Sequence, residues 1–110
     1  MEIRDCSPDD LDAALDVRAR SFGPLAAEHH DRWRLMQQRA SGEGRLLGAY
    51  DGTNVIATAR IHAFRQWWGG RALRLAGIGG VVVAPEYRGR GVGKQLMAAV
   101  LDRSREHGYP

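Results

Sequence analysis

Val81-Val82-Val83-Ala84-Pro85-Glu86-Tyr87-Arg88-Gly89-Arg90-Gly91-Val92-Gly93-Lys94-Gln95-Leu96 is the stretch on which the reading of this chain turns. Three valines in a row favour a buried strand. Ala84-Pro85 ends that strand, because proline cannot donate to a ladder. The glycines from Gly89 to Gly93 then allow tight turns and close backbone approach to a ligand. A helix starting at Val92 would aim its first N–H groups, and the positive end of its dipole, at that loop. Arg88, Arg90 and Lys94 add positive charge. Strand, glycine-rich loop and helix together make an anion site, and a pyrophosphate fits it.

Three nucleotide-binding patterns compete for the loop. The P-loop requires Gly-x-x-x-x-Gly-Lys-Ser/Thr. Here Gly93-Lys94 is followed by Gln95, and Arg88 stands where the first glycine belongs, so that pattern fails. The dinucleotide fingerprint requires Gly-x-Gly-x-x-Gly early in a βαβ unit, with an acidic residue about 20 positions later. The spacing here is Gly-x-Gly-x-Gly, and a hairpin precedes it. The third pattern, Gln/Arg-x-x-Gly-x-Gly/Ala, is met at every defined position by Arg88 to Gly93. With its valine strand, Ala-Pro-Glu-Tyr turn and following apolar helix, the stretch resembles motif A of the GCN5-related N-acetyltransferases, the acetyl-CoA pyrophosphate loop.

Upstream of this stretch lies a long glycine-interrupted strand, Ala72 to Val83, in which Gly77, Gly79 and Gly80 predict a bulge or a close backbone approach. Gln66 to Arg71 reads as the turn before it. Asn54 to Phe64 is the preceding strand, with Val55, Ala57, Ala59, Ile61 and Ala63 on one face and Thr58, Arg60 and His62 on the other. Asp51-Gly52 is a hairpin turn joining it to a strand over Arg45 to Tyr50. Ser41 to Gly44 is a loop. Met1 to Cys6 predicts a first strand. Ser7-Pro8-Asp9-Asp10 is a helix start, with a capping serine, proline at the first position and acids on the positive dipole end. Leu11, Leu15, Arg18 and Phe22 share a face of that helix, which ends at Gly23-Pro24. A second helix is expected over Leu25 to Arg39, with Trp33, Met36 and Gln37 on one side. In the last helix Val92, Leu96, Ala99 or Val100 and Arg103 share a face, and Gly108 stops it. The order is strand, helix, helix, three strands, helix: a mixed α/β plan with a central hairpin.

Composition narrows the function classes. The 110 residues make one domain, and 44% hydrophobic with 26% charged residues argue against disorder. Cys6 is the only cysteine, which excludes an internal disulfide and a paired-cysteine zinc site. It reads as an inert thiol. Glu28, His29, His30 and Asp31 read as a solvated helix face, because adjacent helical side chains diverge, and no metal is expected. There is no apolar run of about 18 residues and no apolar leader core, so no membrane span is expected and the cytoplasm is the default location. The net charge of +3 is almost all arginine, with Lys94 the only lysine. It is scattered along the chain, which favours an anionic ligand over a nucleic acid.

The resemblance extends further. Phe64-Arg65-Gln66-Trp67-Trp68-Gly69-Gly70-Arg71, the glycine-rich strand and Val-Ala-Pro-Glu together look like the enhanced intracellular survival family of aminoglycoside acetyltransferases. The similarity runs through nearly the whole chain, residues 1–110 being read as the N-terminal portion of the acetyltransferase domain.

The resemblance implies an acyl-CoA N-acyltransferase fold: a mixed, mostly antiparallel central sheet flanked by helices, here without its later strands. Acetyl-CoA is the implied cosubstrate. Its pantetheine arm is expected on the backbone of Val81, Val82 and Val83. Its pyrophosphate is expected on Arg88, Gly89, Arg90, Gly91, Val92, Gly93 and Lys94. The implied reaction is acetyl transfer to a primary amine, with aminoglycosides among the acceptors, and no metal is needed. Phe22 and Trp33 are the implied acceptor-pocket walls, with Glu28 and Asp31 as attractors of a cationic amine. The family's general acid and base lie beyond these 110 residues, so Tyr50, Tyr87 and Tyr109 receive no catalytic role. An open edge on the fourth strand would be covered by further chain or by a homo-oligomer. The alternative reading is a non-catalytic, CoA-binding module.

Overall fold

The computed structural model describes residues 1–109. Its strands are β1 (Glu2–Asp5), β2 (Leu46–Asp51), β3 (Asn54–Trp68) and β4 (Arg71–Val83); its helices are α1 (Leu11–Phe22), α2 (His30–Gly42) and α3 (Val92–Glu106). The element order is the expected one. The strands lie side by side in sequence order, and each neighbouring pair is antiparallel. The four described strands thus form the antiparallel part of the expected sheet, because hairpins and the α1–α2 excursion return the chain antiparallel each time.

Ser7 opens the first helical segment as expected, its hydroxyl accepting from the Asp9 N–H at 3.2 Å. Pro8–Asp10 make one turn of 3₁₀ helix before α1 begins. The buried stripe of α1 is Leu11, Ala14 and Val17, not the expected line through Leu15, Arg18 and Phe22. The second helix starts later than expected. The Leu25 carbonyl is taken by the His30 ring at 2.7 Å, and a short 3₁₀ turn (Ala27–His29) precedes α2.

Two bulges set which residues face which helices. Ala49 pairs with Ala57 and Tyr50 with Val55, so Ile56 is an extra residue in β3. This turns Val55 to the face opposite Ala57, correcting the expected alternation. The second bulge is in β4. Thr58 pairs with Val82 and Arg60 with Gly79, leaving Gly80 and Val81 opposite Ala59 alone. Gly80 has φ +60°, a left-handed conformation that a side chain resists. The bulge predicted from the strand glycines is therefore at Gly80. At Gly77 and Gly79 the close neighbour is a side chain rather than the expected backbone, since a Cβ at either would lie within 2.5 Å of the Phe64 or His62 ring.

Each face of the sheet has its own core. On one, Val92, Leu96 and Val100 of α3 pack on Leu47, Ala49, Ala57, Ala59 and Ile61. On the other, Val17 of α1 packs with Tyr50, Val55, Val82 and Ala84, while Leu11, Ala40, Leu46 and Cys6 close the α1–α2 end. Cys6 is fully buried, and burial pushes its thiol pKa up, as befits an inert residue. The expected α3 face ends on buried Ser104, while Arg103 turns aside to bond Asp5 and the Gly44 carbonyl. The expected turn over Gln66 to Arg71 shrinks to Gly69-Gly70, both at positive φ, as a type I′ hairpin turn requires. Trp67 and Trp68 are strand residues, and both are exposed.

Candidate functional site

β4 and the start of α3 build the anion loop as a unit. Ala84 donates its N–H to the Ile56 carbonyl at 2.7 Å, so the strand remains hydrogen-bonded to β3 up to its end. Because successive residues of a strand alternate sides, Val83 turns its N–H and carbonyl to the outer edge of β4. That carbonyl accepts from the Ser21 hydroxyl of α1 at 3.0 Å. No other strand pairs with this edge among the described residues.

The chain leaves β4 through a 3₁₀ turn, Pro85–Tyr87. Glu86 is clamped by the Arg20 guanidinium at 2.7 and 2.8 Å, which holds its carboxyl below the usual range and ties the turn to α1. Gly89 and Gly91 both adopt left-handed backbone, at φ +79° and +77°. A Cβ at either would meet nothing within 4 Å. Conformation, then, rather than crowding, selects glycine at both. Gly91 is the N-cap of α3 and supplies no side-chain oxygen to the first turn. Gln95 is the first helical residue whose N–H returns to the cap, bonding the Gly91 carbonyl at 3.1 Å. The N–H groups of Val92, Gly93 and Lys94 precede the helical ladder and remain for a ligand. Arg88, Arg90 and Lys94 are all exposed beside them, with Arg90 over the Tyr87 ring at 5.2 Å. Tyr87 in turn donates to Asp51, which pushes the phenol pKa up and keeps it a donor.

Behind β4, on the α1–α2 face of the sheet, lies an open cleft of about 210 Å³. Arg18 and Phe22, one turn apart on α1, form one wall; Trp33 and Gln37, one turn apart on α2, form the other. Its floor is Thr58 and Arg60 of β3 with Gly80 and Val82 of β4. The bulge at Gly80 is therefore exposed at the bottom of the cleft. Arg60 donates to the buried Gln37 Oε1 at 3.0 Å.

A family model described as an acetyltransferase (GNAT) domain matches residues 2–110. The chain belongs to the GNAT acetyltransferase family. An uncharacterized N-acetyltransferase of Streptomyces avermitilis is 32% identical over 99% of this chain and 26% of its own length. The crystal structure of a GCN5-related N-acetyltransferase from Kribbella flavida superposes with a TM-score of 0.95 at 53% identity, over 99% of this chain and 28% of that one. A GNAT acetyltransferase from Brucella melitensis, solved in complex with acetyl-CoA, shares the fold, with a TM-score of 0.73 at 22% identity over 98% of this chain and 70% of that one. The chain thus spans about a quarter of the length of the first two relatives.

Within this GNAT fold, the expected cofactor residues fall at the end of β4 (Val81 to Val83) and on the loop and first turn of α3 (Arg88 to Lys94), Val82 and Val92 being themselves buried. Phe22 and Trp33 do meet across one cleft. Glu28 and Asp31 do not join them; Glu28, in the 3₁₀ turn before α2, and Asp31, in the first turn of α2, are both exposed and outside the cleft lining. Sequence reasoning gave Arg60, Gln37 and Ser21 no functional role, and it gave Arg18 only a helical face shared with Leu11, Leu15 and Phe22. The spacing of Arg18 to Phe22 and of Trp33 to Gln37, one polar and one aromatic residue four apart on each helix, was the available signal.

Proposed function

We propose that this chain carries the acetyl-CoA site and part of the acceptor site of an N-acetyltransferase that acts on a primary amine. The observation that carries the reading is the uncapped first turn of α3. Its N–H groups are presented by two left-handed glycines beside three exposed cations. In this reading the pyrophosphate lies on the N–H groups of Val92, Gly93 and Lys94, with Arg88 and Arg90 flanking it. The pantetheine arm runs along the outer edge of β4 beside Val81, where Val83 turns its backbone groups outward.

The acyl group then lies next to the Gly80 bulge, which the cleft shares. A neutral amine in the cleft attacks the thioester carbonyl. The C–N bond forms, the C–S bond breaks, and the proton shed by nitrogen is taken up with the departing thiolate. A backbone N–H at the bulge is the donor proposed for the oxyanion. No side chain of this chain is assigned as acid or base. Acetyl-CoA bound to the Brucella melitensis relative, on the same fold, supports the choice of cosubstrate.

The wider expectations stand as parts of the proposal. Cytoplasmic location is one; among the described residues no helix is long and apolar enough to cross a membrane. Homo-oligomer formation is another, supported by the outer edge of β4 and the exposed Trp67 and Trp68. An aminoglycoside acceptor, the third, rests on the family resemblance alone, and the two guanidinium groups lining the cleft argue against it. Calorimetric titration with acetyl-CoA tests the central reading. Saturable, one-to-one binding that is lost with dephosphorylated pantetheine is expected. Equal affinity for pantetheine would overturn the pyrophosphate assignment.

A further inference from the structure

We propose that the cleft between α1, α2 and the sheet selects acceptors in which the amine is accompanied by an anionic group, held by Arg18 and Arg60. The inference rests on the acetyltransferase reading for the word acceptor, but the anion preference follows from the cleft itself. Two guanidinium groups line it and no carboxylate does. Arg20 is neutralised by Asp16 and Glu86, Arg34 by Asp12 and Arg45 by Glu43, whereas Arg32, Arg39, Arg65, Arg71 and Arg74, which have no ion pair among the described residues, lie outside the cleft lining. Arg18 and Arg60 have no ion pair among the described residues.

Arg60 is half-buried, and what orients it is neutral. The Gln37 amide oxygen accepts from it at 3.0 Å, and the His62 ring lies 3.4 Å away. Burial lowers its pKa, and so does nearby Arg45, so its charge lacks compensation within the protein. Gln37 is itself 6% exposed, so the fork of Arg60 is held from a fixed, buried point. A half-buried guanidinium with a neutral anchor is costly alone and favourable once an anion supplies bidentate hydrogen bonds. Carboxylate and phosphate share that chemistry.

The same charges also act on the amine. A nearby guanidinium disfavours an ammonium and favours the neutral, nucleophilic amine. An acceptor with several ammonium groups and no anion, as an aminoglycoside is, meets repulsion from both arginines and attraction from no acid in the lining. Phe22 and Trp33 would flank the carbon skeleton that joins the amine to the anion.

The test titrates the chain, with and without CoA, against three small amines: γ-aminobutyrate, O-phosphoethanolamine and 1,4-diaminobutane. Both anionic amines are expected to bind at least about tenfold more tightly than the diamine, a difference within reach of one charge-assisted pair. The carboxylate and phosphate arms then rank the two sources of charge. Arg18→Gln and Arg60→Gln should each erase most of the preference, and Arg60→Lys should restore part of it. Acetyl-CoA affinity should be unchanged in all three variants. Because Arg60→Gln also removes the partner of buried Gln37, Arg18→Gln, which leaves that bond intact, serves as the second variant. Equal or tighter binding of the diamine would overturn the proposal while leaving the acetyl-CoA site standing. Loss of acetyl-CoA binding in the wild type would instead strike the acetyltransferase reading, and the amine titrations without CoA would still decide the anion preference.

Discussion

Gly91 holds φ +77° at the point where the loop becomes α3, with open space where a Cβ would go. Gly69, at the tip of the β3–β4 hairpin, holds φ +52° with equally open space. A β-branched residue at either should cost roughly 1–2 kcal/mol for its left-handed backbone. Only one of them lies at the anion loop. Gly91→Val and Gly69→Val are therefore expected to lower the melting temperature to a similar extent. Acetyl-CoA binding, measured by calorimetry, should fall more than tenfold in Gly91→Val and remain unchanged in Gly69→Val. Equal losses in both would mean that stability, rather than the loop, governs binding. The loop was legible in the sequence for the reason this comparison exploits: left-handed backbone and an uncapped helix start are local demands, answered by glycine within a few positions. The cleft was not. Arg18 and Arg60 lie far apart in the sequence, and only packing of α1 against the sheet brings them together.

At the scale of elements, period and turn chemistry found every strand and helix, and the errors came from the two bulges, the late start of α2 and the buried stripe of α1. An alternation of apolar residues along β3 looks regular in sequence, yet Ile56 is an extra residue that turns Val55 to the opposite face. A bulge without a glycine leaves no compositional mark, whereas the one at Gly80 did. The β3–β4 pair also carries a pH response. The His62 ring stacks nearly parallel on Phe64, centroids 5.5 Å apart, and covers Gly79. Burial first, and then the charges of Arg60 and Arg45, hold its pKa below the ordinary 6.5. The unfolded chain therefore takes up a proton near pH 6.5 that the folded chain resists, so stability falls as the pH drops through that value. His62→Phe keeps the stacking and removes the titration. The wild-type melting temperature should fall more between pH 7 and pH 5 than that of the variant, the other histidines being common to both. Parallel pH profiles would remove His62 from the account. On the opposite face, Leu96 is fully buried between α3 and the sheet. Leu96→Ala should cost about 2–5 kcal/mol, read from urea unfolding, and a cost under 1 kcal/mol would mean that α3 is not anchored there.

The whole molecule is longer than its core requires. Its radius of gyration is 14.4 Å, against about 13 Å for a compact chain of this length. The excess is the far half of the β3–β4 hairpin, where Phe64, Trp67, Trp68, Leu73 and Leu75 are all exposed and the strands pair only with each other, Arg74 reaching back over the Tyr109 ring at 4.6 Å. An isolated two-stranded ribbon is marginally stable in water. The near half, from Ala57 to Ile61 and at Val82, is clamped between α3 and α1. Hydrogen exchange should therefore divide one continuous hairpin in two, with fast exchange from Phe64 to Leu75 and slow exchange from Ala57 to Ile61. Acetyl-CoA engages the near half and the start of α3 in the proposed site, so a saturating amount should slow exchange at Val92, Gly93 and Lys94 and leave the hairpin tip unchanged. At 100 times the dissociation constant the ligand should add about 2.7 kcal/mol to global stability. Salt should erode that gain, because Arg88, Arg90 and Lys94 meet the phosphates at an exposed surface. Protection that appears instead at the hairpin tip would place the ligand on the exposed aromatic ribbon and would remove the α3 loop from the site.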